Sequence, residues 1–346
     1  MVPDPNTPIA LSGAPGSPYT RKMLALLRYR RIAYRFLPPS GAAIAGLPSP
    51  KVALLPTFYL PDEAGQIAPV TDSTPIIRRL EAERAGRSVR PDDPVLAFID
   101  DLLEDYADEW LTKAMFHYRW AFEADAAHAA RILPCWRGMQ VADEELALRG
   151  AAFRERQVGR LYVVGSNALT APVIEASYER FLDLMEAHLR ERPFLLGTRP
   201  AASDFAVFGQ LTQLALFDPT PMALTGARAP RVFAWTCAME DLSGHEPEPQ
   251  GWEDVSSPPA TLRALLAEMG RVYAPVMAAN AEAHARGASE FTTQVGGLAW
   301  RQPVFPYQAK CLGWLRQVHA ALGQEHQHRL APWLDGSGLE CLFAAP

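Results

Sequence analysis

A serine stands where a short apolar run meets a longer one: Gly16-Ser17-Pro18-Tyr19-Thr20-Arg21-Lys22 joins Pro8-Ile9-Ala10-Leu11 to Met23-Leu24-Ala25-Leu26-Leu27. If the first run is a strand and the second a helix, Ser17 lies in the field of the helix N-terminus. The free N–H groups and the backbone dipole there stabilise a bound anion, including a thiolate that forms only at the moment of use. The same residues also suit a purely structural role. Ser17 is a good N-cap, and Pro18 in the first turn gives up no needed hydrogen bond. Other signals for chemistry are weaker. His326 and His328 would bind a metal only with a third ligand from elsewhere, so no metal is expected. Cys311 and Cys341 have no neighbouring base or basic cluster and read as inert thiols. No glycine-rich dinucleotide or Walker-type loop is present, which argues against a nucleotide cofactor.

The elements that must position Ser17 follow from the local pattern. Residues 8–12 look like a short buried strand, and 18–30 like a helix with Met23, Leu26, Leu27 and Tyr29 near one side. Ile32 to Leu37 alternates like a second strand, stopped by Pro38-Pro39, and the stretch from Gly41 to Pro50 has room for at most a short irregular helix. Leu54 to Leu60 is a proline-containing strand, Asp62-Glu63-Ala64-Gly65 a turn, and Gln66 to Val70 a returning strand. Asp72-Ser73-Thr74-Pro75 then opens a helix running through Leu80. That order predicts an α/β layer built on a small sheet.

Arg87 to Pro94 is a charged, proline-containing linker, and beyond it the pattern is helical: 96–123, 127–138, 143–164, 171–191, 203–216 and 229–242. Ser243 to Pro259 reads as a surface loop. A helix over 259–286 precedes two β-like runs, 290–295 and 298–301, which flank Gly296-Gly297 as in a hairpin. A helix over 307–322 and a tail complete the 346 residues. That length accommodates two domains. With 49% hydrophobic and 21% charged residues and a net charge of −6, the chain is an ordinary globular protein with no electrostatic reason to bind nucleic acid or an anionic membrane. Four widely separated cysteines, no C-x-x-C, no secretory signal and no long apolar run lead us to expect a soluble cytoplasmic protein with reduced thiols.

The order of these elements and the residues inside them resemble a glutathione S-transferase. Three pieces carry the match: Ser17-Pro18-Tyr19-Thr20-Arg21-Lys22 after the first strand, Leu55-Pro56-Thr57-Phe58 opening the third, and Asp72-Ser73-Thr74 starting the third helix. Arg192-Pro193-Phe194-Leu195-Leu196-Gly197, leading to Pro200-Ala201-Ala202-Ser203-Asp204-Phe205, looks like the family's signature before its central buried helix. The resemblance covers residues 7 to 242. It implies an α/β thioredoxin-like N-terminal domain (1–88), an all-α C-terminal domain (94–242), and, outside the family pattern, an extension (243–346) packed on the helical domain.

Glutathione is the co-substrate that the resemblance implies. A tripeptide with two carboxylates, an ammonium and a thiol needs an anion hole, a carboxylate partner, an extended edge and a donor beside sulfur. Ser73 would bind the γ-glutamyl carboxylate through its hydroxyl and the free helix amides. Asp72 would take the ammonium, or merely complement the helix dipole. Pro56 corresponds to the family's cis-proline, which turns the Leu55 backbone outward to pair with the cysteinyl part of glutathione. Lys51 falls where the glycine carboxylate is contacted, although a solvated surface lysine has the same signature. Ser17 would be the catalytic donor to the sulfur; serine there, in place of the cysteine of redox-active relatives, leaves the thiolate free to attack an electrophile rather than form a mixed disulfide. Tyr19 is the competing donor, or else a packed aromatic. Tyr106 and Trp110, four apart on the first helix of the helical domain, would face the co-substrate pocket with His117, or belong to the core.

Two departures stand out. The helical signature usually has Ser or Thr three residues before its aspartate, yet position 201 is Ala, so Ser203 is a possible alternative N-cap. The extension is the second, and it either covers the interdomain cleft or thickens the helical domain. The resemblance implies a glutathione transferase acting on an electrophilic small molecule in detoxification, as a homodimer. Glutathione-dependent lyase, dehalogenase or isomerase chemistry, and a non-catalytic binding or assembly module, are the alternatives.

Overall fold

The computed structural model describes residues 7–39 and 43–343. Four strands form one sheet in the order β2-β1-β3-β4. β1 (Ile9–Ser12) pairs parallel with β2 (Tyr34–Leu37) and antiparallel with β3 (Thr57–Pro61), which pairs antiparallel with β4 (Ile67–Val70). A parallel neighbour requires a crossover, and α1 (Pro18–Tyr29) supplies it. The antiparallel pair needs only a tight turn, in which the Asp62 carboxylate accepts the N–H groups of Ala64 and Gln66 at 2.9 Å each. β3 starts at Thr57 rather than at Leu54, because Pro56 has no N–H to give the ladder. Residues 43–47 form turns, and the part of the proposed irregular helix at 41–42 lies outside the described residues. α2 (Ser73–Glu83) completes this thioredoxin-like layer.

The helical domain begins with α3 (Pro94–Tyr106), whose Asp93 cap accepts from Val95 N at 2.8 Å. Instead of one helix through Glu123, the chain makes a π-helical turn at Ala107–Leu111 before α4 (Thr112–Ala121). It continues through α5 (Glu123–Ile132), α6 (Asp143–Val158), α7 (Ala171–His188), α8 (Ala202–Leu214), α9 (Pro219–Arg228) and α10 (Pro230–Ala238). Short 3-10 turns follow α5 (Leu133–Arg137) and α6 (Leu161–Val164). α9 escaped the sequence pattern because Pro219-Thr220-Pro221 looks like a turn, yet proline is tolerated in a first helical turn. Every residue of α8 is buried. Its start resolves the missing hydroxyl: Ala201 is the cap residue, not Ser203, and the Asp204 carboxylate accepts the N–H groups of Ala201 and Leu195, both at 2.9 Å.

Past residue 242, α11 (Ala260–Ala285) packs on α7, and the hairpin β5 (Glu290–Val295)–β6 (Leu298–Pro303) packs on α11. Gly296 and Gly297 have φ of 58° and 84°, the left-handed pair that a two-residue hairpin turn requires. α12 (Pro306–Ala321) packs on α11 and α3. The tail is not a tail: α13 (Gly323–Leu334) buries Leu330, Trp333 and Leu334 and is followed by a 3-10 turn at Leu339–Leu342. One apolar core runs from β1 and α1 through α3, α7 and α8 into α11, the hairpin, α12 and α13. No helix among the described residues is long and apolar enough to cross a membrane.

Candidate active site

The loop before α1 is held from outside its own domain. Arg119 on α4 donates to the Gly16 carbonyl at 3.0 Å and Gln213 on α8 to the Pro15 carbonyl at 3.1 Å. Arg119 is itself fixed by Asp218 (2.9 Å) and by Gln213 Oε1 (2.7 Å). A glycine in α8 allows the helix to come this close: a Cβ at Gly209 would lie 2.6 Å from the Pro18 carbonyl oxygen. Within this clamp Ser17 caps α1, its Oγ accepting from Thr20 N at 3.2 Å and donating to the Leu55 carbonyl at 3.3 Å. The helix-cap role and the contact to Leu55, two residues before β3, are therefore filled by one hydroxyl. Leu55-Pro56 is a cis peptide, and Pro56 is buried.

A second set of contacts joins α1, α2 and α3. Lys22 is fully buried, and its Nζ donates to Ser73 Oγ (3.0 Å), Glu104 Oε1 (2.7 Å) and Asp108 Oδ2 (2.6 Å). Burial alone would lower the pKa of this lysine, but the adjacent Asp108 and Glu104 carboxylates hold it above its ordinary value. Burial likewise opposes ionisation of Glu104, yet Lys22 and Arg78 hold its carboxyl below the usual range. Thr74 Oγ1 adds a second hydrogen-bond donor to Glu104, at 3.0 Å. Asp72, next in line, has φ of 84° and makes no side-chain cap to α2; its carboxylate instead accepts from the Tyr307 hydroxyl of α12 at 2.6 Å.

Between the domains lies a cleft of about 1300 Å³. The thioredoxin-like side contributes Tyr19, Lys51, Leu55, Pro56, Asp72 and Ser73, with Lys51 exposed. Ser17 is not among the lining residues and adjoins the cleft through Leu55. The α3–α4 side contributes Asp101, Glu104, Asp105, Asp108, Glu109 and Thr112, an i, i+3/i+4 series along one face. The mouth carries apolar side chains from both ends of the chain: Val52 and Leu54 on one lip, Phe305, Trp314 and Val318 on the other. Burial, and next the charge of Asp105, pushes the Glu109 carboxyl up to about 8; Asp105, which accepts from the Tyr273 hydroxyl, is pushed up to about 7, again chiefly by burial. Lys113, one turn beyond Glu109, is lowered to about 8 by burial and donates only to neutral acceptors, Val164 O at 3.3 Å and Gln302 Oε1 at 3.2 Å.

The expected co-substrate face is corrected. Tyr106 and Trp110 are 3% and 1% exposed and turn into the helical core. Tyr106 meets Tyr273 edge to face, and Trp110 Nε1 donates to Ser177 Oγ at 3.2 Å. His117 is buried between Ser166 Oγ (2.8 Å) and Glu175 Oε1 (3.2 Å), and burial lowers its pKa. The reason is helical periodicity: the acidic residues occupy the cleft face of α3 and the aromatics the opposite one. Tyr19 lines the cleft, but its hydroxyl donates to Asp108 O at 2.9 Å and sits 3.4 Å from Thr112 Oγ1, and burial raises its pKa well above the ordinary value. Sequence reasoning missed Lys22, Glu104 and Asp108, and also Arg119 and Gln213. The visible signal was a lysine in the midst of the buried helix α1. His326 accepts from Arg329 Nη1 at 3.3 Å, and among the described residues no group of three His, Cys, Asp or Glu could hold a metal.

These elements define a two-domain protein, thioredoxin-like at its N-terminus and helical beyond, with a cleft at the junction. Family models of the glutathione S-transferase N-terminal domain and C-terminal domain match residues 11–88 and 126–236, together more than half of the chain. The chain belongs to the glutathione S-transferase family. No curated protein matches it. Among solved structures it is similar to a glutathione S-transferase of Methylobacterium radiotolerans in complex with glutathione sulfonate, at 19% identity over 72% of this chain and 99% of that one, with a TM-score of 0.41. A Tau class glutathione S-transferase from mango, Mangifera indica, is 18% identical over 68% of this chain and 89% of that one, with a TM-score of 0.39. A family member from Pseudomonas fluorescens, with two glutathione bound, is 16% identical over 76% of this chain and 94% of that one, with a TM-score of 0.41.

Proposed function

We propose that this protein binds glutathione in the interdomain cleft and activates its thiol for attack on an electrophilic small molecule. The observation that carries the reading is the convergence of three separate segments on one place. Ser17 Oγ touches the Leu55 carbonyl, and Ser73 opens α2 at the same cleft with Asp72 beside it. The γ-glutamyl carboxylate would take the first-turn amides and hydroxyl of α2, and the ammonium would take Asp72. The cysteinyl backbone would pair with Leu55 as a short added strand, with Lys51 near the glycine carboxylate. Ser17 is the preferred donor to sulfur: its hydroxyl would have to leave only a long 3.3 Å contact to the Leu55 carbonyl, whereas Tyr19 is held by a 2.9 Å bond to the Asp108 carbonyl across the domain boundary. A hydroxyl that donates to the thiolate lowers its pKa and leaves it nucleophilic. Mouth residues Leu54 and Trp314 would receive the apolar part of the electrophile.

A second reading, a glutathione-binding module without transferase activity, draws on one observation: Ser17 stands behind Leu55 rather than among the lining residues. One experiment separates the two. We expect retention on immobilised glutathione and conjugation of a chromogenic aryl halide, with Ser17→Ala lowering kcat/KM by roughly 10²-fold and Tyr19→Phe far less. Retention without conjugation would establish the binding module, and no retention would sink both readings. A larger loss in Tyr19→Phe would move the donor to that phenol.

A further inference from the structure

The extension reaches the α2 end of the candidate glutathione site through the Tyr307 hydroxyl. Asp72 occupies the N-cap position of α2, where an aspartate ordinarily folds its carboxylate over an amide of the first turn. Here no side-chain cap is made, the backbone of Asp72 has φ of 84°, and Oδ2 accepts from Tyr307 Oη at 2.6 Å, a contact spanning 235 positions of sequence. Tyr307 sits in the first turn of α12, and both residues line the cleft. The first-turn N–H groups of Ser73 and Thr74 have no hydrogen-bond partner among the described residues.

We propose that Tyr307 is a positioning residue: by drawing the Asp72 carboxylate away from α2, it keeps the helix amides free for an incoming carboxylate and sets Asp72 to receive an ammonium. This rests on the reading of the cleft as a glutathione site and assigns the extension a part in it. A carboxylate oxygen offers more than one acceptor direction, so Asp72 can hold Tyr307 and an ammonium together. Capping requires the extended backbone of an ordinary N-cap, so without the Tyr307 hydroxyl Asp72 would relax from its φ of 84° and turn its carboxylate to the open end of its own helix. The anion site would then be filled from within.

The test has one arm that needs no ligand. In the full chain, Tyr307→Phe keeps the ring and removes only the oxygen, and a melting temperature close to that of wild type would confirm an intact fold. Hydrogen exchange of the Ser73 and Thr74 amides should slow about fivefold in Tyr307→Phe, as Asp72 caps them. It should not slow in the Asp72→Ala/Tyr307→Phe double variant. In the second arm, glutathione titrated into Tyr307→Phe should show a Kd raised about five- to tenfold, the equivalent of one modest hydrogen bond. Unchanged exchange, equal slowing in the double variant, or a Kd that stays the same or falls would overturn the assignment. Failure of the wild-type chain to bind glutathione, with the exchange result intact, would overturn the glutathione reading while leaving the Tyr307–Asp72 coupling in place.

Discussion

Lys22 decides more about this protein than any residue that the sequence pattern singles out. Three groups from three helices meet its ammonium, two of them carboxylates buried with it. Replacing Lys22 by Met would leave Glu104 and Asp108 without the ammonium between them, with Arg78 3.9 Å from Glu104 as the remaining cation. We expect a loss of about 3–5 kcal/mol in urea unfolding, the range for breaking one side of a buried pair. Adding Glu104→Gln should recover part of that loss, because one of the stranded charges is removed. A Lys22→Met protein as stable as wild type would show that the network is not cohesive. Ser73 is tied into the same network, so the γ-glutamyl carboxylate site proposed at Ser73 would rest on a lysine that does not line the cleft.

At the scale of elements, the contact that matters is α8 against the first turn of α1. Gly209→Ala raises helix propensity by about 1 kcal/mol. The added methyl would nevertheless meet the Pro18 carbonyl at 2.6 Å, and backbone cannot swing aside as a side chain can. Overpacking of about 1–3 kcal/mol therefore outweighs the propensity gain. Thermal unfolding should show net destabilisation, and glutathione affinity should fall with it, since Pro18 follows Ser17 directly. A stabilised variant would mean that α8 and α1 separate without consequence. The π-helical turn at Ala107–Leu111 is a related case: it sits within the acidic face that lines the cleft and re-aims Asp108 and Glu109 between two regular helices.

For the whole molecule, the acidic cleft wall predicts how stability varies with pH. Asp105 and Glu109 titrate near 7 and 8 in the folded chain, against 3.8 and 4.5 for the free side chains. Folding raises these pKa values, so the native state binds more protons than the unfolded state between about pH 4 and pH 8. Their contribution is fully present below about pH 4 and is lost as pH rises through 7 and 8. Other carboxylates, such as Glu104 with its lowered pKa, act the opposite way but lose their contribution only in acid. The melting temperature should therefore fall between pH 6 and pH 8.5, and Glu109→Gln should flatten that slope. A slope unchanged in Glu109→Gln would place the ionising groups elsewhere.

Much of this architecture was legible from the residues. The strand-helix-strand-strand-strand-helix order, the Gly-Gly hairpin and the long α11 all show in local periodicity and turn chemistry, which act over a few residues. Ser17 as a cap and Asp72-Ser73 as a helix start were legible for the same reason. What was misplaced shares a different cause. Tyr106 and Trp110 do share a face, but their spacing does not say whether that face meets a cleft or a core. α9 and α13 both carry prolines, which read as turn residues, and tertiary burial of a few side chains, such as Trp333, holds α13 in place.

Local chemistry along the chain thus determined which segments are strands and helices, and where helix N-termini stand ready for an anion. The packing of distant segments decided which hydroxyl is free, which charges are neutralised and what closes the cleft. Lys22 and Asp108 are 86 positions apart, Ser17 and Leu55 are 38, and Tyr307 and Asp72 are 235. No periodicity extends over such separations. Contacts of this kind exist only because one continuous core fixes both partners before they meet.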